Sequence, residues 1–312
     1  MRGFGRSIEQ TLIEKSVFGR KMEPLDKIII IFVTRIVLIV IGTMDFSLSL
    51  RDGRTIHYDH PVVMGIINLT PDSFFAGSRC LSDVDAMGEE QAQALRQRVR
   101  QMVADGAEMI DVGACSTRPN YVPPTAQEEI RRLCWGLPIV REEVQLPVSV
   151  DTYRAEVARV AVEELGADIV NDVYGGTRDA EMLTVVRQLG APFILGADSA
   201  DVETFFDRQL PQLEGVQVIL DPDFGFSKDL QQNYATLRTL SQLIGRFSSM
   251  PMLVGVSRKR MVWQLLGIKA DEALNGTTVL HTLALQSGAH ILRVHDVREA
   301  VQAVRIVQAL NQ

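Results

Sequence analysis

Between Pro61 and Gln312 the chain alternates short apolar runs with stretches of helical periodicity, and it does so eight times. The runs span 62–67, 109–112, 148–150, 169–171, 193–195, 216–220, 252–256 and 291–294. Stretches such as 86–105, 154–165, 230–246 and 299–310 carry apolar residues three and four apart, the spacing of an amphipathic helix. Gly106, Gly166, Gly190 and Gly288 stand where such helices would end, suiting a left-handed cap before the next strand. Strands apolar on both faces and separated by helices pair in parallel. Eight such units close a (β/α)8 barrel, whereas an open doubly wound sheet has fewer strands and a glycine-rich phosphate loop, and neither GxGxxG nor GxxxxGK[ST] occurs.

Seven of the runs carry a polar or charged residue at or just past their ends: Asn68, Asp111, Asp151, Asn171, Asp221, Ser257 and Arg293. In a (β/α)8 enzyme the chemistry sits at the carboxyl ends of the strands. A lone aspartate there is more often a cap for the following helix. Several converging groups favour a single site. The stretch from 61 to 312 is close to the roughly 250 residues of one barrel, which favours one domain over two. A net charge of -7 argues against a basic nucleic-acid surface, which needs clustered Lys and Arg. Cys80, Cys115 and Cys134 fit no zinc or redox spacing, so they read as thiols in a reducing compartment and the protein as cytoplasmic.

The first 43 residues differ from the rest. Basic residues from Arg2 to Lys27 precede an apolar run, 28–41, interrupted by Thr34 and Arg35. The run is short for a membrane span and contains a costly arginine, and no small-residue cleavage site follows it. Residues 1–43 are therefore expected to be an extension outside the fold, with a membrane anchor the minority reading, and the domain to span 44–312. It opens with an expected β-hairpin, in which Phe46, Leu48 and Leu50 alternate with serines before the turn at Asp52-Gly53.

The segments GIINLTPDSF (65–74), DVGACSTRP (111–119), VSVDT (148–152), ADIVNDV (167–173), ILDPDFGF (219–226), VGVSRK (254–259) and ILRVHDV (291–297) resemble, in order, those of dihydropteroate synthases. The resemblance implies condensation of 6-hydroxymethyl-7,8-dihydropterin diphosphate with p-aminobenzoate, assisted by Mg2+, in a homodimer that binds small molecules and no nucleic acid. It implies that Thr117, Asp151, Asn171, Asp221, Lys259, Arg293 and His295 bind the pterin diphosphate, that Phe226 and Ser257 meet p-aminobenzoate, and that Asn68 holds Mg2+. Asp72, Arg118, Lys259, Arg293 and His295 would act in catalysis.

These residue types suit that chemistry. A buried pterin edge presents N–H donors that need acceptors, which Asp151, Asp221 and the two-sided amide of Asn171 supply. Arg293 and His295 stand before the last helix, whose positive end suits a diphosphate. A single amide oxygen at Asn68 needs waters and substrate oxygens to complete an octahedron, so metal and substrate should bind together. Departure of diphosphate leaves positive charge on the pterin methylene, so stabilising both ions outweighs any protein nucleophile. The loops holding Thr70, Pro71 and Asp72, and Thr117, Arg118 and Pro119, are expected to close over the centre and exclude water.

Three departures stand out. Ala76 replaces an acidic residue of the family loop, Asp223 replaces a glycine in the DPDFGF turn, and FILGAD (193–198) replaces a segment in which Gly196 takes the place of a methionine expected against the pterin face. They keep two alternatives open beside the synthase, namely a catalytically silent pterin-binding paralogue and a pterin-dependent methyltransferase on the same barrel. An unrelated chemistry on a TIM barrel is a further reading that fold alone never excludes.

Overall fold

The computed structural model describes residues 45–70, 87–115 and 123–310. The expectation for residues 1–43, and the places of Pro71, Asp72, Ala76, Thr117, Arg118 and Pro119, lie outside the described residues.

The expected hairpin is present. Strand β1 (Phe46–Ser49) pairs antiparallel with β2 (Thr55–Tyr58). Between them Gly53 takes φ 86°, and Asp52 accepts the Arg54 N–H at 3.0 Å. The repeating units follow as β3 (Val62–Asn68), α1 (Glu89–Ala104), β4 (Met109–Gly113), α2 (Ala126–Glu143), β5 (Val148–Asp151), α3 (Ala155–Glu163), β6 (Ile169–Asp172) and α4 (Met182–Leu189). They continue as β7 (Phe193–Gly196), α5 (Val202–Gln209), a 3-10 turn (Leu210–Leu213), β8 (Val218–Asp221), α6 (Leu230–Arg238), α7 (Leu240–Arg246) and β9 (Leu253–Val254). The last elements are α8 (Arg260–Leu266), α9 (Leu274–Gln286), β10 (Ile291–Val294) and α10 (Val297–Leu310).

Strands β3 to β10 form one parallel sheet in the order β8-β7-β6-β5-β4-β3-β10-β9. A parallel bridge between Leu220 and Met252, with the Leu220 N–H donating to the Pro251 carbonyl at 2.9 Å, joins its two edges. The expected (β/α)8 barrel is thus observed.

Strand alternation divides the apolar residues into two clusters, because successive side chains point to opposite faces. Val63, Ile110, Val150, Val170, Leu195, Leu220, Val254 and Leu292 point outward and pack under the helices. Met64, Met109, Ile169, Ile194, Ile219, Leu253 and Ile291 point inward and meet Phe46, Leu48, Leu50 and Tyr58 of the hairpin. The hairpin therefore closes the floor of the barrel at the amino ends of its strands. Gln217, just before β8, secures it by accepting the Ser49 N–H at 2.9 Å and donating to the Ser47 carbonyl. One residue pair further up, the inward positions change character: Asp111 stands above Met109, Asn171 above Ile169, Asp221 above Ile219 and Arg293 above Ile291. Period 2 alone puts these polar residues inside the barrel, one layer above an apolar floor.

All four cap glycines adopt positive φ: Gly106, Gly166, Gly190 and Gly288. Three element bounds are corrected. The expected helix 230–246 is two helices, α6 and α7, meeting at Thr239. Its hydroxyl bonds back to the Ala235 carbonyl at 3.2 Å, and Thr236 does the same to Gln232 at 3.0 Å, a habit that bends helices. The run 216–220 becomes strand only from Val218, since the Val216 N–H closes a turn onto Leu213 through Gly215 at φ 82°. The run 252–256 keeps only Leu253–Val254 in the ladder, with Met252 contributing the closing bridge.

Candidate active site

Arg293 organises the top of the barrel. From β10 its guanidinium donates through Nε to Asp111 Oδ2 at 2.6 Å and through Nη2 to Asp151 Oδ2 at 2.5 Å, spanning β4 and β5. Burial alone would discharge it, yet the two carboxylates hold its pKa above the ordinary arginine value. Burial pushes Asp151 up to about 7, against the pull of Arg293. Asp111 also accepts both contacts of the Asn171 amide nitrogen, at 3.3 and 3.2 Å. With its Nδ2 so engaged, the amide of Asn171 presents Oδ1, which is buried and has no hydrogen-bond partner among the described residues. That oxygen asks for a donor from a ligand.

Asp221 completes this side of the ring at the end of β8. One of its oxygens accepts the Asp223 N–H at 2.8 Å. Burial raises its pKa, while Lys259 and Arg293 lower it. Lys259, at the start of α8, sends its ammonium to the Phe224 carbonyl, lies 4.5 Å from the centroid of the Phe226 ring and 3.8 Å from Asp223 Oδ1. Burial lowers the Lys259 pKa, opposed by Asp223 and Asp221. The segment from Asp221 to Asp229 is fixed from behind. Asn233 of α6 accepts the Gly225 N–H at 2.7 Å and donates to the Lys228 and Asp229 carbonyls, and Asp229 forms a capping box with Gln232.

Ser257 is buried, and its hydroxyl accepts the His295 N–H at 3.1 Å, tying the loop after β9 to the end of β10. His295 is neutral: burial, with Arg293 beside it, pushes its pKa down to about 3. It faces a groove of about 340 Å³ that Arg98, Asp296, Val297 and Arg298 also line, at the amino end of α10. Arg98 donates to the His295 carbonyl at 2.8 Å, and Arg258 grips Asp296 with two bonds of 2.7 and 2.9 Å. Asn68, half-buried at the end of β3, lies near Asp151 across Gly113 of β4. A Cβ placed on Gly113 would lie 3.7 Å from Asn68 Oδ1 and 3.7 Å from Asp151 Oδ2.

The structure therefore gathers Asp151, Asn171, Asp221, Lys259 and Arg293 around one ring, with Asn68, Phe226, Ser257 and His295 on its rim. Asp72, Thr117 and Arg118 fall outside the described residues. Several participants had no role in the sequence reading. Asp111 was legible as a strand end, but its central position follows from its neighbours across β5 and β10. Glu129 of α2 is fully buried, takes the Thr152 hydroxyl at 2.6 Å and pairs with Arg154, which donates onward to the Pro124 carbonyl at 2.8 Å. Burial raises the Glu129 pKa. No spacing signals that cluster, because its partners come from two elements that only packing brings together.

The family model described as "Pterin binding enzyme" matches residues 64–295. The chain belongs to the dihydropteroate synthase family. The synthase of Escherichia coli (strain K12) is 34% identical over 278 residues, covering 82% of this chain and 94% of that protein. Among solved structures, the Yersinia pestis synthase with a sulfonamide drug superposes with a TM-score of 0.75 at 33% identity, over 85% of this chain and 99% of the other. The Xanthomonas albilineans synthase in complex with 7,8-dihydropteroate gives 0.71 at 31% identity, over 85% and 99%. Membership gives the ring of strand-end residues its context. Six of the seven ordered segments lie within residues 64–295, and the seventh, 291–297, overlaps the end of that range.

Proposed function

We infer that the protein is a dihydropteroate synthase, joining 6-hydroxymethyl-7,8-dihydropterin diphosphate to p-aminobenzoate with release of diphosphate. The observation that carries this reading is the oriented amide of Asn171: its nitrogen is held by Asp111, so its oxygen is presented as a buried acceptor beside the carboxylates of Asp151 and Asp221. Three acceptors on adjoining parts of one ring match a flat edge bearing an exocyclic amino group and ring N–H. The Xanthomonas albilineans relative, which holds 7,8-dihydropteroate, supports the same product here.

In this reading the pterin lies across Asn171 and Asp221, with the Lys259 ammonium directed at its carbonyl side. Diphosphate lies toward Arg293, neutral His295 and the amino end of α10, where Arg98 adds a positive charge. A neutral imidazole gives a hydrogen bond without needing protonation, so this end should work across the neutral pH range. The arginines stabilise the leaving group, and the carboxylates beneath favour the cation left on the methylene. The aniline nitrogen of p-aminobenzoate is itself a neutral nucleophile, so the chain needs no general base; Ser257 and Phe226 are assigned to that substrate. As the resemblance implies, Thr117 is assigned to the pterin diphosphate, and Asp72 and Arg118 to catalysis.

Mg2+ is assigned to Asn68, whose amide oxygen would need waters and the substrate diphosphate beside it, because the nearby Asp151 Oδ2 is held by Arg293 and no cluster of three or more Asp, Glu, His or Cys side chains suited to a metal occurs among the described residues. When bound with the diphosphate it would supply neutralisation of the leaving charge. The apolar faces of α9 and α10, which leave Val279, Leu283, Ile306 and Leu310 exposed, support a homodimer. No helix among the described residues is long and apolar enough to cross a membrane, and the proposed setting is cytoplasmic.

The test is calorimetry with the pterin diphosphate followed by a synthase assay with p-aminobenzoate and Mg2+. Turnover to dihydropteroate that Asn171→Ala reduces at least tenfold is the expected result. Pterin binding with no product under any metal condition would select the silent paralogue, and no pterin binding at all would overturn the reading.

A further inference from the structure

Asp223 stands two residues past the end of β8, in the turn that carries Phe224, Gly225 and Phe226. Its backbone is left-handed, φ 54°, where glycine is the easy residue. Its side chain is 1% exposed, and neither carboxylate oxygen has a hydrogen-bond partner among the described residues. The turn itself does not need that side chain. The Asp223 N–H is held by Asp221, its carbonyl accepts from Lys228 at 3.3 Å, and Gly225 is held by Asn233. A strained position therefore buries a carboxylate that contributes nothing to its own loop.

What the carboxylate faces is Lys259, with Nζ 3.8 Å from Oδ1. The other charged groups around Asp223 are Asp221, Lys228 and Asp198. Lys228 turns its ammonium to the carbonyls of Ala197 and Asp223, at 3.2 and 3.3 Å. Around Lys259 stand Asp223, Asp221, Arg293 and Asp151, together with the Phe224 carbonyl and the Phe226 ring. Its side chain crosses Gly225 so closely that a Cβ there would lie 2.9 Å from Lys259 Cδ. Lys259 is thus confined to a narrow path with Asp223 at its end.

We propose that Asp223 is a positioning residue for Lys259, holding its ammonium charged and fixed against the pterin pocket, so that this chain presents a Lys259–Asp223 pair to the substrate. The proposal rests on the reading of Lys259 as a pterin contact. Desolvation acts to discharge Lys259 and to protonate Asp223 alike, and each charge opposes that in the other, so removing the carboxylate lowers the pH at which the lysine loses its proton. Asp223→Asn keeps the size and tolerates left-handed φ; Asp223→Gly relieves the strain and removes the side chain altogether.

Two measurements test it. In the unliganded protein with 13C-labelled lysines, the Lys259 signal, identified by its loss in Lys259→Met, should titrate at least one pH unit lower in both Asp223 variants than in the unsubstituted protein. Unchanged midpoints would overturn the proposal whatever the protein binds. In calorimetry with 6-hydroxymethylpterin, the alkaline loss of affinity should move down by the same interval. A purely structural Asp223 would alter thermal stability and leave this pH limb in place, which also overturns the proposal. Failure of the unsubstituted protein to bind the pterin at any pH would instead count against the synthase reading, with the lysine titration still deciding the role of Asp223.

Discussion

Asp111 has no exposed surface, yet it holds both Arg293 and Asn171 in position. Removing one partner of a buried charged pair leaves the other without compensation, at a cost of about 3–5 kcal/mol. Asp111→Ala should lower the unfolding free energy by about that amount in a denaturant titration and abolish pterin binding, since the Asn171 amide loses its orientation. A loss within about 0.5 kcal/mol, the usual range of surface changes, would mean that Asp151 alone satisfies Arg293. His290 offers a second test. Its Nδ1 accepts the Met252 N–H at 3.1 Å, which requires the neutral ring with its proton on Nε2, and burial pushes its pKa down to about 4 from the ordinary 6.5. The unfolded chain therefore takes up the proton first. This contribution to stability is complete above about 6.5 and is lost as pH falls toward the folded value. Asparagine offers an amide oxygen to the same N–H and does not titrate. Between about pH 7.5 and 5, His290→Asn should gain roughly 2 kcal/mol relative to the unsubstituted protein, read from paired unfolding curves.

At the scale of elements, packing at the end of β7 accounts for the glycine at position 196. A Cβ on Gly196 would stand 2.6 Å from Val173 Cα and 2.6 Å from its carbonyl oxygen, so the loop after β6 lies directly against this strand end. Asp172 shapes that loop by accepting the Tyr174 and Gly176 N–H groups at 2.8 and 2.7 Å. The glycine is thus a packing requirement of this chain, and a methionine cannot be restored here by one substitution. Gly196→Ala should cost about 1–3 kcal/mol in a thermal or denaturant melt, the usual range for overpacking. It should also weaken pterin binding, because Val173 lies two residues from Asn171. An unchanged melting temperature would show that the β6 loop moves aside freely.

At the scale of the whole molecule, the barrel is closed below by a hairpin and left polar above, which confines chemistry to one end. Among the described residues, four of the seven exposed large apolar side chains lie on α9 and α10, where Val279 and Leu283, and Ile306 and Leu310, each stand one helical turn apart. If they form the dimer contact, Ile306→Glu with Leu310→Glu should sediment as a monomer with an unchanged circular dichroism spectrum. A parent protein that is already monomeric at micromolar concentration would remove this element of the reading.

The eight-fold alternation, the floor hairpin, the cap glycines and the polar strand ends were legible in the sequence because each follows from local periodicity and local backbone preference. So were the inward strand residues of the ring, Asp151, Asn171, Asp221 and Arg293, since period 2 decides which strand positions face inward. What the chain alone does not reveal is pairing across distance. Arg293 meets Asp111 and Asp151 because β10, β4 and β5 share one small ring. Asp223 meets Lys259 because the turn after β8 faces the start of α8. Glu129 reaches Thr152 because α2 packs beside β5. Electrostatic contacts depend on separation in space, which closure of the barrel fixes and sequence spacing does not; that is why the roles of Asp111, Asp223 and Glu129 had to wait for the tertiary structure.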